Sequence, residues 1–181
     1  MKVIQTKIEG CWLIKPKVYQ DSRGYFYESF QKERFEQATQ LSFNPIQDNE
    51  AYSTYGVIRG LHFQKEPFAQ AKLVRALKGM ILDVVVDLRK NSKTHGAVVT
   101  TELSQENKEQ LFVPKGCAHG YAVLSPDAVV FYKTDAYYHP QTEGGILYND
   151  PGLNIDWRIP EKDKILSEKD TLWKSFKNSI Q

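Results

Sequence analysis

The stretch GVIRGLHFQ, Gly56 to Gln64, sets Arg59 and His62 in an apolar run that belongs on a β-strand. Histidine is the side chain that exchanges a proton near neutral pH, and arginine offers an anion a planar fork of donors. Polar chemistry recurs inside apolar runs at Lys72 and Asp83, in AKLVRALKGMILDVVVD, and at His119, in FVPKGCAHGYAVL. A charge inside a barrel is costly unless paired or solvated, so Lys72 and Asp83 either face outward or line a polar cavity. A solvated strand face suits each basic residue taken alone, and a hydrogen-bonded core position suits a lone histidine.

Side chains alternate along a strand, so His62 lies opposite Leu61 and Phe63, on the face of Gly60 and Gln64. Arg59 is out of phase with it. Both reach one ligand only if the strand twists, bulges or lines a narrow barrel mouth. By the same alternation Lys72, Val74 and Ala76 share one face, and Leu73, Arg75 and Leu77 the other.

The scaffold these residues need is written mostly in strands. In CWLIKPKVYQDSRGYFYESF, β-branched and aromatic runs flank Asp21-Ser22-Arg23-Gly24, which reads as the turn of a hairpin. QKERFEQATQ, from Gln31, predicts a short surface helix. From Ala51 to Tyr138 follow the runs AYSTYGVI, AKLVRALKG, MILDVVVDL, GAVVTTELS, EQLFVPKG, AHGYAVLS and AVVFYKTDAYY, with turn signals between them. After HPQTEGG the chain reads as loop through YNDPGLNIDWRIPEKDK, and SEKDTLWKSF predicts one closing helix. Short strands with little helix predict a mainly β fold, a jelly-roll barrel with a few short helices, one of them at the C-terminus.

Composition narrows the function classes. The 181 residues, 41% hydrophobic and 25% charged, suit a single domain over residues 1–181. The net charge is +2, with basic residues interspersed among acids, which argues against a nucleic acid or an anionic membrane as partner. A small anionic ligand fits. No window reaches the length of a membrane span, and the first residues lack the apolar core of a secretion signal. Cys11 and Cys117 form no CxxC or Cys/His ligand pattern, so two reduced thiols in a cytoplasmic protein are expected.

Pro114-x-Gly116-x-x-His119 resembles the second motif of the cupin barrels, where the proline and glycine turn the chain into a strand and the histidine points into the barrel. The first cupin motif has His-x-His and then a glutamate. LHFQKE supplies one histidine, so a catalytic metal is not expected.

GVIRGLHFQ, AKLVRALKGMILDVVVDLRKNS, FVPKGCAHGYAVLS, YYHP and ILSEKD, in this order and over nearly the whole chain, resemble the dTDP-4-dehydrorhamnose 3,5-epimerase family. DSRGYFYESF and IQDNE match its N-terminal motifs. The resemblance implies a dTDP-linked 4-keto-6-deoxy sugar as substrate and no cofactor. The ketone acidifies the hydrogens on C3 and C5, and epimerisation needs a base, a site for the enolate and an acid on the opposite face.

The resemblance assigns His62 as the base, oriented by Asp170, Tyr138 as the acid, and Lys72 as the cation near the enolate. Ser167-x-x-Asp170 is also a helix capping box, and one carboxylate could serve both roles. Tyr137 competes with Tyr138, but alternation sends the two to opposite faces. The resemblance further implies that Asp83 holds the Lys72 ammonium and that Arg59 binds the diphosphate. It gives Gln47, Asn49 and His119 other nucleotide-sugar contacts, faces Phe26 to the thymine, and implies that Arg23 and Glu28 are supplied across a homodimer interface.

Three places depart from the family pattern: Ala71 stands where a glycine is common, PKGCAHG where PEGFAHG is usual, and KTDAYY where KTTDYY-like text is usual. A mono-epimerase, a 3,4-ketoisomerase on a related sugar, and a non-catalytic sugar-nucleotide binding barrel stay open at this point.

Overall fold

The computed structural model describes residues 1–179. They form β1 (Lys2–Gln5), β2 (Trp12–Lys15), β3 (Tyr19–Asp21), β4 (Gly24–Phe26), α1 (Lys32–Thr39), β5 (Gln47–Thr54) and β6 (Ile58–Gln64). There follow β7 (Lys72–Lys78), β8 (Met80–Asp87), β9 (Val98–Ser104), β10 (Gln110–Val113), β11 (Cys117–Val123) and β12 (Asp127–Thr134). The chain ends in β13 (Glu143–Gly145), α2 (Glu168–Thr171) and α3 (Phe176–Ser179). One antiparallel sheet runs β1-β2-β10-β7-β12-β5 and the other β13-β6-β11-β8-β9. From β5 to β12 the chain crosses between them at nearly every step, which is jelly-roll wiring.

Burial explains the strand sequences. Along β8, Ile81 and Val85 point between the sheets, onto Val74, Leu111, Val123 and Val130. Leu82, Val84 and Val86 point the other way, where Ile146, Tyr148, Trp157 and Ile159 of the long C-terminal passage cover them. A strand buried on both faces needs an unbroken apolar run, and MILDVVVD has one save for its acids. On the outer face of the first sheet, Phe35 of α1 meets Phe112 at a ring-centroid distance of 4.9 Å, beside Ile14, Phe43 and Leu73. Both cysteines are buried and unpaired, and desolvation pushes each thiol up to about 12.

The predicted hairpin and surface helix are present as β3–β4 and α1. AYSTYGVI is split by a turn at Tyr55–Gly56, so it ends β5 and begins β6. β12 stops at Thr134, short of Tyr138, because Asp135 turns the chain. Its carboxylate accepts the Ala71 N–H at 2.8 Å and pairs with Lys115 Nζ at 3.2 Å. The predicted closing helix is two separate turns, α2 and α3. Between them Lys174 bridges Ile146 in parallel, and the Leu147 N–H donates to the Lys174 carbonyl at 3.0 Å, which takes the backbone out of helical pairing. Among the described residues no helix is long and apolar enough to cross a membrane.

Candidate active site

Strand β6 solves the phase problem of Arg59 and His62 with a bulge. His62 pairs with His119 of β11 and Arg59 with Tyr121, so three steps on β6 match two on β11. The extra residue leaves Ile58 and Leu61 both in the outer core, while Arg59 and His62 both line the cavity between the sheets. Gly60 permits this. Its φ is +135°, and a Cβ there would lie 2.5 Å from Gly120 Cα, so only glycines let the two backbones come this close.

That cavity measures about 490 Å³ and is walled by Arg59, His62, Lys72, His119, Tyr132 and Asp170, among others. A second, of about 320 Å³, adjoins it: His62, Lys72 and Tyr132 line both, joined in the second by Gln47, Asn49, Tyr138 and Glu143. His62 comes from β6 in one sheet, Lys72 and Tyr132 from β7 and β12 in the other. They face each other across the barrel.

His62 Nε2 stands 2.5 Å from Asp170 Oδ1, and the carboxylate is almost wholly buried. Burial pushes the Asp170 carboxyl up, but its interactions with His62, Ser167 and Trp173 outweigh this and hold it below the usual carboxylate value. The capping role holds as well: Ser167 Oγ accepts the Asp170 N–H at 3.2 Å at the start of α2, while the side chain turns to His62. With Nε2 held by Asp170, Nδ1 is the ring nitrogen left to accept a proton.

The Lys72 ammonium has no carboxylate within ion-pair distance among the described residues. Burial pushes it down to about 8, against the upward pull of Asp83 and Glu143. Asp83, expected on Lys72, instead engages His119 Nε2 at 2.7 Å, both side chains being buried. It acts on Lys72 through its field and not by contact. Arg59 is aimed by Ser53 Oγ, which accepts from its Nε at 3.0 Å, and by the Tyr52 carbonyl, which accepts from Nη2 at 3.3 Å.

Tyr138 sits on the rim, 48% exposed, and its hydroxyl donates to Glu143 Oε2 at 2.7 Å. The same oxygen accepts from Lys169 Nζ at 2.5 Å. Gln47 fixes the rim from below, its Oε1 accepting the Tyr138 N–H at 3.2 Å and its Nε2 donating to Asn49 at 2.9 Å. Arg23, Phe26 and Glu28 do not join this site within one chain. Arg23 is tied to Asp21 at 2.6 Å, Glu28 to Arg34 at 3.1 Å, and Phe26 is 71% exposed.

Sequence reasoning missed Tyr132 and Glu143. Alternation from Val130 places Tyr132 inward, so its signal was available; Glu143 lies in HPQTEGG, whose turn-like composition hides the short β13 pairing with Gln64. The departures at Ala71, in PKG and in KTDAYY meet in space, as the Ala71–Asp135–Lys115 contacts. Among the described residues no group of three or more His, Cys, Asp or Glu side chains is placed to hold a metal ion.

Such a mouth can take a proton from a carbon beside a carbonyl, hold the charge that develops, and return a proton from the far wall. Fold and site define an isomerase of the proton-transfer kind on a cupin-like barrel. The family model described as dTDP-4-dehydrorhamnose 3,5-epimerase matches residues 5–178, and the chain belongs to that family. A dTDP-4-dehydrorhamnose 3,5-epimerase of Shigella flexneri is 47% identical over 176 residues, 97% of this chain and 96% of that protein. The crystal structure of the Elizabethkingia anophelis enzyme of the same name superposes with a TM-score of 0.97 at 50% identity, covering 100% of this chain and 99% of that one. The 3,5-epimerase of Legionella pneumophila, solved with dTDP-4-keto-L-rhamnose, gives 0.93 at 46%, covering 98% and 93%.

Proposed function

We propose that this chain epimerises C3 and C5 of dTDP-4-dehydro-6-deoxy-D-glucose to dTDP-4-dehydro-L-rhamnose, in the synthesis of dTDP-L-rhamnose. The observation that carries the reading is the opposition of His62–Asp170 on one wall to Lys72 and Tyr132 on the other. His62 Nδ1 takes the C–H proton, the electron pair moves onto the C4 oxygen beside the Lys72 ammonium, and a phenol on the facing wall returns a proton to the carbon. Inversion of configuration at each carbon follows from base and acid lying on opposite sides.

Three phenols line the site, Tyr121, Tyr132 and Tyr138; Tyr121 shares a sheet with His62, and Tyr132 is the better placed acid. Burial pushes its hydroxyl up, which keeps it protonated, and it stands with Lys72 on the wall across from His62. Tyr138, the acid expected from the sequence, lies at the rim with its hydroxyl committed to Glu143, and there it flanks the bound nucleotide sugar. Arg59 takes the diphosphate with His119 beside it, and Gln47 and Asn49, in the adjoining cavity, contact another part of the nucleotide sugar. The relative solved with dTDP-4-keto-L-rhamnose and a Bacillus anthracis relative solved with TDP and pyrophosphate support this class of ligand. No metal takes part, and turnover survives a chelator.

The test is NMR of the 4-keto sugar nucleotide in heavy water. Deuterium enters at C3 and C5 with the native protein. Tyr132→Phe slows product formation by about 10² or more, the usual weight of a general acid, while Tyr138→Phe acts mainly on KM. The reverse order would return the acid to Tyr138; entry at one carbon alone would reduce the reading to a mono-epimerase.

The protein works as a homodimer in the cytoplasm. The β3–β4 hairpin is joined to neither sheet and bears exposed Tyr19, Tyr25 and Phe26. A lone two-stranded hairpin is marginal in water, so it packs on a second copy and carries Arg23, Phe26 and Glu28 toward the partner's cavity. Sedimentation at micromolar concentration gives twice the chain mass; a monomer with full activity would refute the arrangement. Two buried free thiols accord with a reducing compartment.

A further inference from the structure

The Trp173 indole lies against the proton-transfer pair from two directions. Its Nε1 donates to Asp170 Oδ1 at 3.3 Å, the oxygen that also engages His62 Nε2. The ring stands edge-on to the imidazole, centroids 6.2 Å apart at 67°. The barrel keeps a seat for it: Gly145 pairs with His62 across β13 and β6, and a Cβ there would fall 2.3 Å from indole Cδ2 and Cε2. The Ile146–Lys174 bridge pins the chain just beyond, so the indole has a fixed approach.

We propose that Trp173 is a positioning residue for the reaction: its N–H fixes the rotation of the Asp170 carboxylate and takes up part of its charge, which sets how firmly His62 keeps a proton. The inference rests on His62–Asp170 being the base. A carboxylate on a short four-residue helix has freedom to rotate about its side-chain bonds, and Ser167 restrains only its backbone. Besides His62 itself, the indole is the donor that restrains the carboxylate. A carboxylate whose charge is shared pulls less on a proton carried by its neighbour.

Trp173→Phe retains a ring over Gly145 and removes only the N–H. The other charged or titratable groups lining the cavities with the pair are Arg59 from β6, Lys72 from β7, His119 and Tyr121 from β11, Tyr132 from β12, Tyr138, Glu143 from β13 and Lys169 from α2. None of them is altered. The expected result is kcat lower by about tenfold, the weight of one hydrogen bond to a charged group, with KM unchanged. The acid limb of the rate moves to higher pH, since the pair, relieved of its donor, binds its proton more tightly. Gly145→Ala, which pushes the indole off its seat, moves the limb the same way. Native kcat and an unmoved acid limb in Trp173→Phe would overturn the proposal. Asp170→Asn, run beside it, separates the two ideas. Full turnover in Asp170→Asn would sink the assignment of the base pair, whereas a slow Asp170→Asn with a native Trp173→Phe would sink only the role of the indole.

Discussion

His62→Ala lowers exchange of solvent deuterium into the substrate by about 10³ or more, and Asp170→Asn lowers it by about 10² to 10⁴. The two side chains touch at 2.5 Å and act as one unit. Their effects are therefore not additive: the double variant is no slower than His62→Ala alone, because an oriented carboxylate has nothing left to orient. Affinity for dTDP stays near native in all three, since the diphosphate is assigned to Arg59 and not to the pair. A second limit appears at high pH. In the proposed role Lys72 serves the enolate only while protonated, and burial has brought it down to about 8, so the rate is expected to fall as pH rises past that value. Single-turnover exchange across a pH series checks both points, and a double variant far slower than either single one would separate His62 from Asp170 in function.

Gly60→Ala costs about 3 kcal/mol or more and removes most of the activity as well. The added methyl would meet Gly120 Cα at 2.5 Å and the His119 carbonyl oxygen at 3.0 Å, on a residue whose φ of +135° is foreign to alanine. Backbone strain and overpacking each cost ~1–3 kcal/mol. Any relief has to move β6 away from β11, which turns Arg59 or His62 out of the cavity. Urea unfolding and KM measured together test this. A variant with a native midpoint and native KM would show that the bulge does not set the phase of the site.

The same bulge marks where sequence reading stops. Alternation correctly placed His62 opposite Leu61 and Lys72 with Val74 and Ala76, because those positions lie in regular strand. It could state that Arg59 was out of phase but not how the mismatch is resolved. A bulge depends on a close approach to β11, some sixty positions further along the chain, and local pattern carries no trace of that distance. The closing helix is cut in two for a like reason: SEKDTLWKSF has helical spacing, but its pairing with Ile146 is tertiary and interrupts it between α2 and α3. Tyr138 stands out beside Tyr137 because YYHP is conspicuous text, while Tyr132 hides in an ordinary alternating strand. The hairpin, α1 and the doubly buried β8 were legible since turn chemistry, amphipathic spacing and apolar runs are all local. Trp173 carried no signal, for its neighbour Gly145 becomes its seat only after the sheets have closed.

His62 and Asp170 are separated by 108 positions in the chain, and every strand of both sheets precedes Asp170. Synthesis therefore delivers the whole barrel, with its histidine, lysine and phenols, before the carboxylate exists. A nascent barrel can bury its core and still be chemically idle, and competence arrives late, when α2 docks over the mouth. The order separates the time at which this molecule acquires its shape from the time at which it acquires its chemistry.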